Sequence, residues 1–261
     1  MKKKLIGITG PSAFSNSIMS MLEKFFDFNF VCLTHEKEDN LNFWLNMCDG
    51  ILISGGIDIH PSLYGSNVTG GCSLSKFDIR RDMKELGIIN FAIKSKKPLL
   101  AICRGHQLLS IYLGLGNEFA MDLNGCNTVH QPSARGITTS EADVVHAVDI
   151  INPDAFPMEK ATERLVAINI LGEEEKKRIW VNSFHHQGVL YHPGKDGNHY
   201  NEKNITVIGT SVADWDKKQK LIELMRSDSW ISVQWHPEYD YECNTPSKTV
   251  LNMFKNLFKK D

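Results

Sequence analysis

Cys103 closes the apolar run Pro98–Ile102 and is followed at once by Arg104-Gly105 and a segment of helical patterning, Gly105–Leu115. A reactive residue on a sharp strand-to-helix turn is a nucleophile elbow. The turn needs small flanks, which Ala101 and Gly105 supply two residues before and two after. It lifts the sulfur to the top of a sheet and to a helix N-terminus, where partial positive charge favours the thiolate, the nucleophilic form. A Cys-x-Gly alone marks no chemistry, because most free cysteines serve as small buried hydrophobes. The partner stands far downstream, in the stretch WISVQWHPE from Trp230 to Glu238. There an apolar strand ends near Trp235, and His236 and Glu238 are two residues apart. In an extended segment that spacing puts both side chains on one face, and Pro237 biases His236 towards that geometry. A carboxylate beside an imidazole holds one tautomer and stabilises the imidazolium. The residues predict a triad in which Cys103 attacks, His236 moves the proton and Glu238 orients His236. The run ILISGG ends a strand on Gly55-Gly56, and glycine lets backbone N–H groups approach a ligand closely. The N–H groups of Gly56 and of Arg104, next after the nucleophile, are candidate donors to a tetrahedral oxyanion.

These residues need a sheet beneath them. Leu5–Thr9, Phe30–Leu33, Gly50–Ser54 and Pro98–Ile102 read as strands, with helical patterns over Ser15–Phe26, Arg80–Lys94 and Gly105–Leu115. On Arg80–Lys94 the pattern puts Met83, Leu86, Asn90 and Ile93 on one face, with the charges opposite. This order predicts an α/β fold: a mostly parallel sheet with helices on both faces. Ligands in such sheets sit beyond the carboxyl ends of the strands, where Gly55-Gly56 and Cys103 would lie. The second half is richer in strands: Val144–Ile151, Leu165–Ile170, Ile179–Ser183, Ile205–Ser211, Leu221–Met225 and Ile231–Trp235. Thr245-Pro246 opens a final amphipathic helix through Phe258. No linker interrupts the chain, so residues 1–261 read as one domain with antiparallel additions.

Composition fits that picture and removes other classes. The 261 residues, 42% hydrophobic and 23% charged, are ordinary for a globular protein. A net charge of −2 carries no footprint for nucleic acid or anionic membrane. After MKKK the apolar run Leu5–Ile8 is too short for a signal peptide, and no stretch approaches the roughly 18 apolar residues of a membrane helix. The six cysteines form no CxxC pair and no dense framework. Free thiols in a reducing compartment, and hence a cytoplasmic location, are expected. His185-His186, with His130, His192 and His199, makes the second half rich in histidine, yet no carboxylate or cysteine stands at ligand spacing. No metal site is expected.

SGG, CRGHQ and QWHPE, in this order and at these separations, resemble class I glutamine amidotransferases with a Cys-His-Glu triad. GGIDIHPSLYG (55–65), RRDMKE (80–85), AICRGHQLL (101–109) and VNSFHHQG (181–188) are similar to the γ-glutamyl-γ-aminobutyrate hydrolase branch, peptidase family C26. The likeness runs from about residue 4 to about residue 255. It implies a flavodoxin-like three-layer sandwich. It also implies hydrolysis of a small γ-glutamyl amide through a γ-glutamyl-thioester on Cys103, giving glutamate and a free amine without metal or organic cofactor. By position, Gly55, Gln107 and the segment Ser183-Phe184-His185 would hold the glutamyl head, largely through backbone groups. The resemblance further implies a homodimer. Three places depart from the branch: His106 where an apolar residue is usual, which would bear on the pocket wall, and LGLGN (113–117) and DWDKKQK (214–220), which read as structural.

Other clusters have plain readings. Asp58 and His60 shape the turn IDIHP near the site edge, His186 is a candidate pocket donor, and Arg80, Arg81, Asp82 and Glu85 read as a solvated helix face. EEEKKR (173–178) reads as a solvated turn. Two further functions are consistent with the motifs: a glutaminase subunit delivering ammonia to a separate synthase chain, and a non-enzymatic binding protein on the same fold. A papain-like protease is not, because the chain has no CGSCW-like stretch and its candidate orienting carboxylate lies two residues after the histidine.

Overall fold

The computed structural model describes residues 2–10, 15–34, 36–65, 77–115, 119–120, 130, 143–157, 177–192, 204–212 and 219–259. Five strands lie parallel: β1 (Leu5–Thr9), β2 (Asn29–Cys32), β3 (Gly50–Ile53), β4 (Leu99–Ile102) and β11 (Trp230–Val233). Their order is β2-β1-β3-β4-β11, the flavodoxin-like arrangement. The sheet continues antiparallel through β10 (Lys220–Arg226), β9 (Thr206–Val212), β6 (His146–Ile150) and β7 (Lys177–Val181). β8 (Gly188–Tyr191) pairs with β10 and with β5 (Phe119–Ala120).

Burial follows this division. β3, β4 and β11 are buried at every position, as parallel strands covered on both faces must be, whereas HAVDI of β6 alternates. Ile51, Ile53, Leu99 and Ala101 join one apolar core with Ile88, Ile89, Leu108 and Leu109 of α3 (Ile79–Lys94) and α4 (Arg104–Tyr112). Leu52, Leu100, Ile102 and Val233 join the other core. There they meet α1 (Asn16–Ser20), the π-wound turn Met21–Phe26 that continues it, and α6 (Thr245–Leu257). The result is a three-layer sandwich. α2 (Glu38–Met47) covers a stretch for which the residues give no element, and α5 (Pro237–Asp240) is a single turn. Among the described residues no helix is long and apolar enough to cross a membrane.

Two expectations need correction. Ser15–Phe26 is one continuous segment but changes winding at Met21, and it stops where Asp27 adopts φ 57°. On α3 the buried face is Arg81, Asp82, Glu85, Ile88, Ile89 and Ala92, while Met83 is 56% exposed. Arg81, Asp82 and Glu85 are therefore no solvated face. They turn inward because they meet counter-charges there, as described below. The predicted strand Leu165–Ile170 lies outside the described residues, as do Cys72, Cys126, His199 and most of 173–178 and 214–220.

Candidate active site

The chain leaves β4 and reverses at Cys103, whose φ of 52° and ψ of −109° place a non-glycine residue in a sparsely allowed region. Holding such a residue there costs on the order of 1–3 kcal/mol and marks a position fixed by its surroundings. The Cys103 N–H donates to the carbonyl of Val233 at 2.8 Å, which locks the turn to β11. Gly105 explains how α4 can begin so abruptly. A Cβ there would lie 2.3 Å from the backbone oxygen of Ile53, so only glycine lets the helix start against β3.

His236 reaches the same place from β11. The strand ends at Val233 rather than near Trp235, and His236 caps the one-turn helix α5 with φ −112° and ψ 83°. The segment is thus not extended through Glu238. Proline at the first position of a helix is as natural as proline in an extended stretch, and here the helix prevails. The contact survives: His236 Nδ1 lies 2.8 Å from Glu238 Oε1, both side chains being buried. Gly55 locates the histidine relative to the cysteine. A Cβ on Gly55 would sit 3.0 Å from His236 Cε1 and 3.6 Å from Cys103 Cβ, so one glycine separates the two. Burial lowers the pKa of His236, but the Glu238 carboxylate and the Cys103 sulfur outweigh it and hold the imidazole well above its ordinary value.

Supporting groups fix the ring and the sulfur. The Asn182 side chain donates from Nδ2 to the His236 carbonyl and accepts from the His236 N–H, both at 2.8 Å. Tyr239 stacks on the imidazole with centroids 5.1 Å apart, and Phe184 meets it edge-on at 5.8 Å. Gln234 Nε2 approaches Cys103 Sγ at 3.7 Å, and Gln107 Nε2 donates to Gln234 Oε1 at 3.3 Å and to the Gln187 carbonyl at 3.0 Å.

The two candidate oxyanion donors share one buried network. Arg81 Nη2 donates to the Gly55 carbonyl at 3.2 Å, and a Cβ on Gly56, whose φ is +153°, would collide with the Arg81 guanidinium at 2.5 Å. Arg81 pairs with Glu85 at 2.9 Å, and Arg104 pairs with both Asp82 and Glu85. Asp82 Oδ2 also accepts from the His60 N–H at 2.9 Å. Two arginines and two carboxylates, all nearly inaccessible to solvent, therefore anchor the backbone at Gly55-Gly56 and at Arg104.

The remaining expected residues fall as follows. Gly55 touches the centre, Phe184 borders it, and Gln107 ties α4 to residue 187. Ser183 donates to the His130 carbonyl at 2.7 Å. The His185 ring meets His130, His146 and Glu223. His186 pairs with Asp58 at 3.1 Å. His106 is not a pocket wall. It is fully buried, its Nδ1 meets Ser232 Oγ at 2.9 Å and its Nε2 meets the Ile222 carbonyl at 3.1 Å, and burial brings its pKa down to about 4. Cys32, Cys48, Cys103 and Cys243 are free thiols, and burial pushes the Cys48 thiol up to about 11. Sequence reasoning missed Asn182 and Gln234 as positioning groups, although both lie inside the quoted motifs VNSFHHQG and QWHPE. It also missed the charge network and the histidine cluster, which no local signal announces.

A description of the peptidase C26 family matches residues 6–238. The chain is 28% identical over 230 residues to the glutamine amidotransferase-like protein YvdE of Lactococcus lactis, covering 87% of this chain and 81% of that protein. Over a shorter region, 84 residues, it is 34% identical to the gamma-glutamyl-CDP-amidate hydrolase of Campylobacter jejuni, covering 32% of this chain and 37% of that enzyme. In three dimensions it is similar to the glutaminase domain of Trypanosoma brucei CTPS. The TM-score is 0.52 with 14% identity, over 99% of this chain and 95% of that one. At that identity the likeness is one of fold.

Proposed function

The chain belongs to the peptidase C26 family of glutamine amidotransferase-like proteins, and from that premise we propose that it hydrolyses a γ-glutamyl amide with Cys103 as nucleophile, releasing glutamate and a free amine. The observation that carries this reading is the strained turn at Cys103, set one glycine away from a His236 ring that is bonded to Glu238.

The proposed chemistry uses this geometry. The Cys103 thiolate, paired with the His236 imidazolium, attacks the γ-carbonyl carbon, and a carbon–sulfur bond forms. The carbonyl oxygen takes negative charge and receives hydrogen bonds from the Gly56 and Arg104 N–H groups. His236 gives its proton to the departing amine as the carbon–nitrogen bond breaks. Neutral His236 then takes a proton from water, which opens the thioester to glutamate and restores the thiolate–imidazolium pair. Glu238 keeps the ring in one tautomer and stabilises its charged form. Gly55, Gln107 and the backbone of Ser183-Phe184-His185 hold the glutamyl head, with Phe184 closing one side beside His236. The amine half is small, as in γ-glutamyl-γ-aminobutyrate.

The test offers the purified chain glutamine, γ-glutamyl-γ-aminobutyrate, other γ-glutamyl amines and a γ-glutamyl nucleotide amidate, with Cys103→Ala in parallel. Glutamate is expected from a γ-glutamyl amine, and the variant should lose about 10⁴-fold or more in kcat. Undiminished release by Cys103→Ala would overturn the mechanism. Glutaminase activity appearing only with an added synthase chain would replace the hydrolase by an ammonia-delivering subunit.

A further inference from the structure

A second cluster of chemistry-bearing side chains lies in the antiparallel half, outside the proposed triad. His146 opens β6, Glu223 sits within β10, His185 stands between β7 and β8, and His130 joins them from a fourth segment. All four are buried, none more than 3% exposed. One ligand-capable atom from each lies within 4.8 Å of the other three. His130 Nδ1, His146 Nε2 and His185 Nε2 stand 3.9, 3.8 and 3.8 Å from Glu223 Oε1. Linear spacing concealed this group and led to the expectation of no metal site. Four separate segments supply it.

The outer nitrogens settle what the inner ones offer. His130 Nε2 meets the Val212 carbonyl at 2.9 Å, His185 Nδ1 the Gln187 carbonyl at 2.8 Å and His146 Nδ1 the Ala147 carbonyl at 3.3 Å. A carbonyl only accepts, so each of these nitrogens carries the hydrogen. Each inner nitrogen of a neutral ring then presents a lone pair. None of the three inner nitrogens has a hydrogen-bond partner among the described residues, and neither does Glu223 Oε2. Three lone pairs beside a buried carboxylate, which accepts from Ser211 Oγ but from none of the three rings, are a costly arrangement. Outer ring nitrogens bonded to carbonyls are the usual second layer around metal-bound histidines.

The backbone is shaped to the same end. In the β9–β10 pairing Ile222 faces Thr210 and Leu224 faces Gly209, so Glu223 has no partner in the ladder. Such a bulge re-aims a side chain. Glu223 Oε1 also accepts from Ser211 Oγ at 2.7 Å, which fixes the carboxylate.

We propose that His130, His146, His185 and Glu223 form a closed site for one divalent transition-metal cation, with Zn²⁺ the best match to three imidazoles and a carboxylate. Zinc holds nitrogen and oxygen ligands at about 2.0–2.2 Å in a tetrahedron, which needs ligand atoms about 3.4 Å apart. The observed 3.8–3.9 Å separations to Glu223 ask for a contraction of a few tenths of an ångström, and the widest separation in the group, up to 4.8 Å, asks for a side-chain shift of about an ångström. With four protein ligands and no solvent access the site is structural. It clasps β6, β10 and the segment 182–187, whose Gln187 carbonyl also accepts from Gln107 of α4.

The test uses the full chain and does not depend on turnover. Protein stripped by a chelator is titrated with Zn²⁺ and with Co²⁺, as wild type, Cys103→Ala and Glu223→Gln. Wild type and Cys103→Ala should each take up one equivalent, show the visible d–d bands of four-coordinate cobalt, and gain at least about 5 °C in Tm on adding Zn²⁺. Glu223→Gln, which keeps volume and an acceptor for Ser211, should lose the bands and most of the shift. Wild-type protein that takes up neither ion overturns the proposal, whether or not the variant folds. So does uptake lost in Cys103→Ala but retained in Glu223→Gln, which would put the ion at the cysteine.

Discussion

Burial would make His236 a weaker base than a free imidazole, and the neighbouring Glu238 carboxylate and Cys103 sulfur reverse that. A group whose pKa is raised stays protonated through neutrality and loses its proton only as pH climbs past the raised value. The basic limb of the pH profile of kcat/KM should therefore fall well above pH 6.5, where the imidazolium proposed to protonate the leaving amine disappears. Glu238→Gln keeps a hydrogen-bonding group but removes the charge. It should move that limb down towards the ordinary imidazole range and lower kcat by about 10²–10⁴-fold. A limb that stays in place would remove Glu238 from its role. Gly55→Ala pushes a methyl to within 3.0 Å of the His236 ring, and a displacement of this kind near the reacting atoms should cost about 10²-fold in kcat. Both nitrogens of His106 are engaged under α4. His106→Leu should thus lower stability by about 1–3 kcal/mol in urea unfolding and leave the order of preferred substrates unchanged. A reordered panel would return His106 to the pocket wall.

At the scale of elements, the turn between β4 and α4 depends on two features that can be broken separately. Gly105→Ala drives a Cβ into the Ile53 carbonyl and should destabilise by about 1–3 kcal/mol or more. Arg104→Met leaves Asp82 and Glu85 buried without their shared counter-charge. The expected cost is about 3–5 kcal/mol, read from the shift of the urea midpoint at constant m. A loss below about 1 kcal/mol would show that Arg81 suffices. The strand-turn-helix at Cys103 was legible in the sequence because apolar run, small flanks and helical pattern are all local signals. His236 and Glu238 were legible as a pair, but their geometry was not, since Pro237 serves an extended segment and a first helical turn equally well. The face of α3 was misread for a related reason. Hydrophobic periodicity counts Arg81, Asp82 and Glu85 as solvent-facing, and only Arg104, from another helix, makes their burial tolerable. Asn182 lay within a quoted motif, yet its grip on the His236 backbone joins the residue after β7 to the segment after β11, strands that are not neighbours in the sheet, which no pattern in the chain specifies.

At the scale of the molecule, β11 is the seam. It pairs parallel with β4 on one side and antiparallel with β10 on the other, with Val233 beside Ile102. The parallel half was readable in advance because apolar strands, three of them buried at every position, alternate with helices. Of the antiparallel half, β6, β7, β9 and β10 were readable as strands but not as neighbours, and β5 and β8 were not read at all, so Glu223 and the three histidines could not be brought together. The same seam governs biosynthesis. As the chain emerges from the ribosome, His236 follows Cys103 only after roughly half the chain more has been made. Until then β4 and β10 cannot be joined through β11, and the thiol lacks the proton carrier proposed for it. Contacts so distant in sequence are slow to form, and on the proposed mechanism the delay has a protective side: a nascent or interrupted product would hold Cys103 without the histidine proposed to serve it, and the proposed centre would form only when β11 joins the sheet.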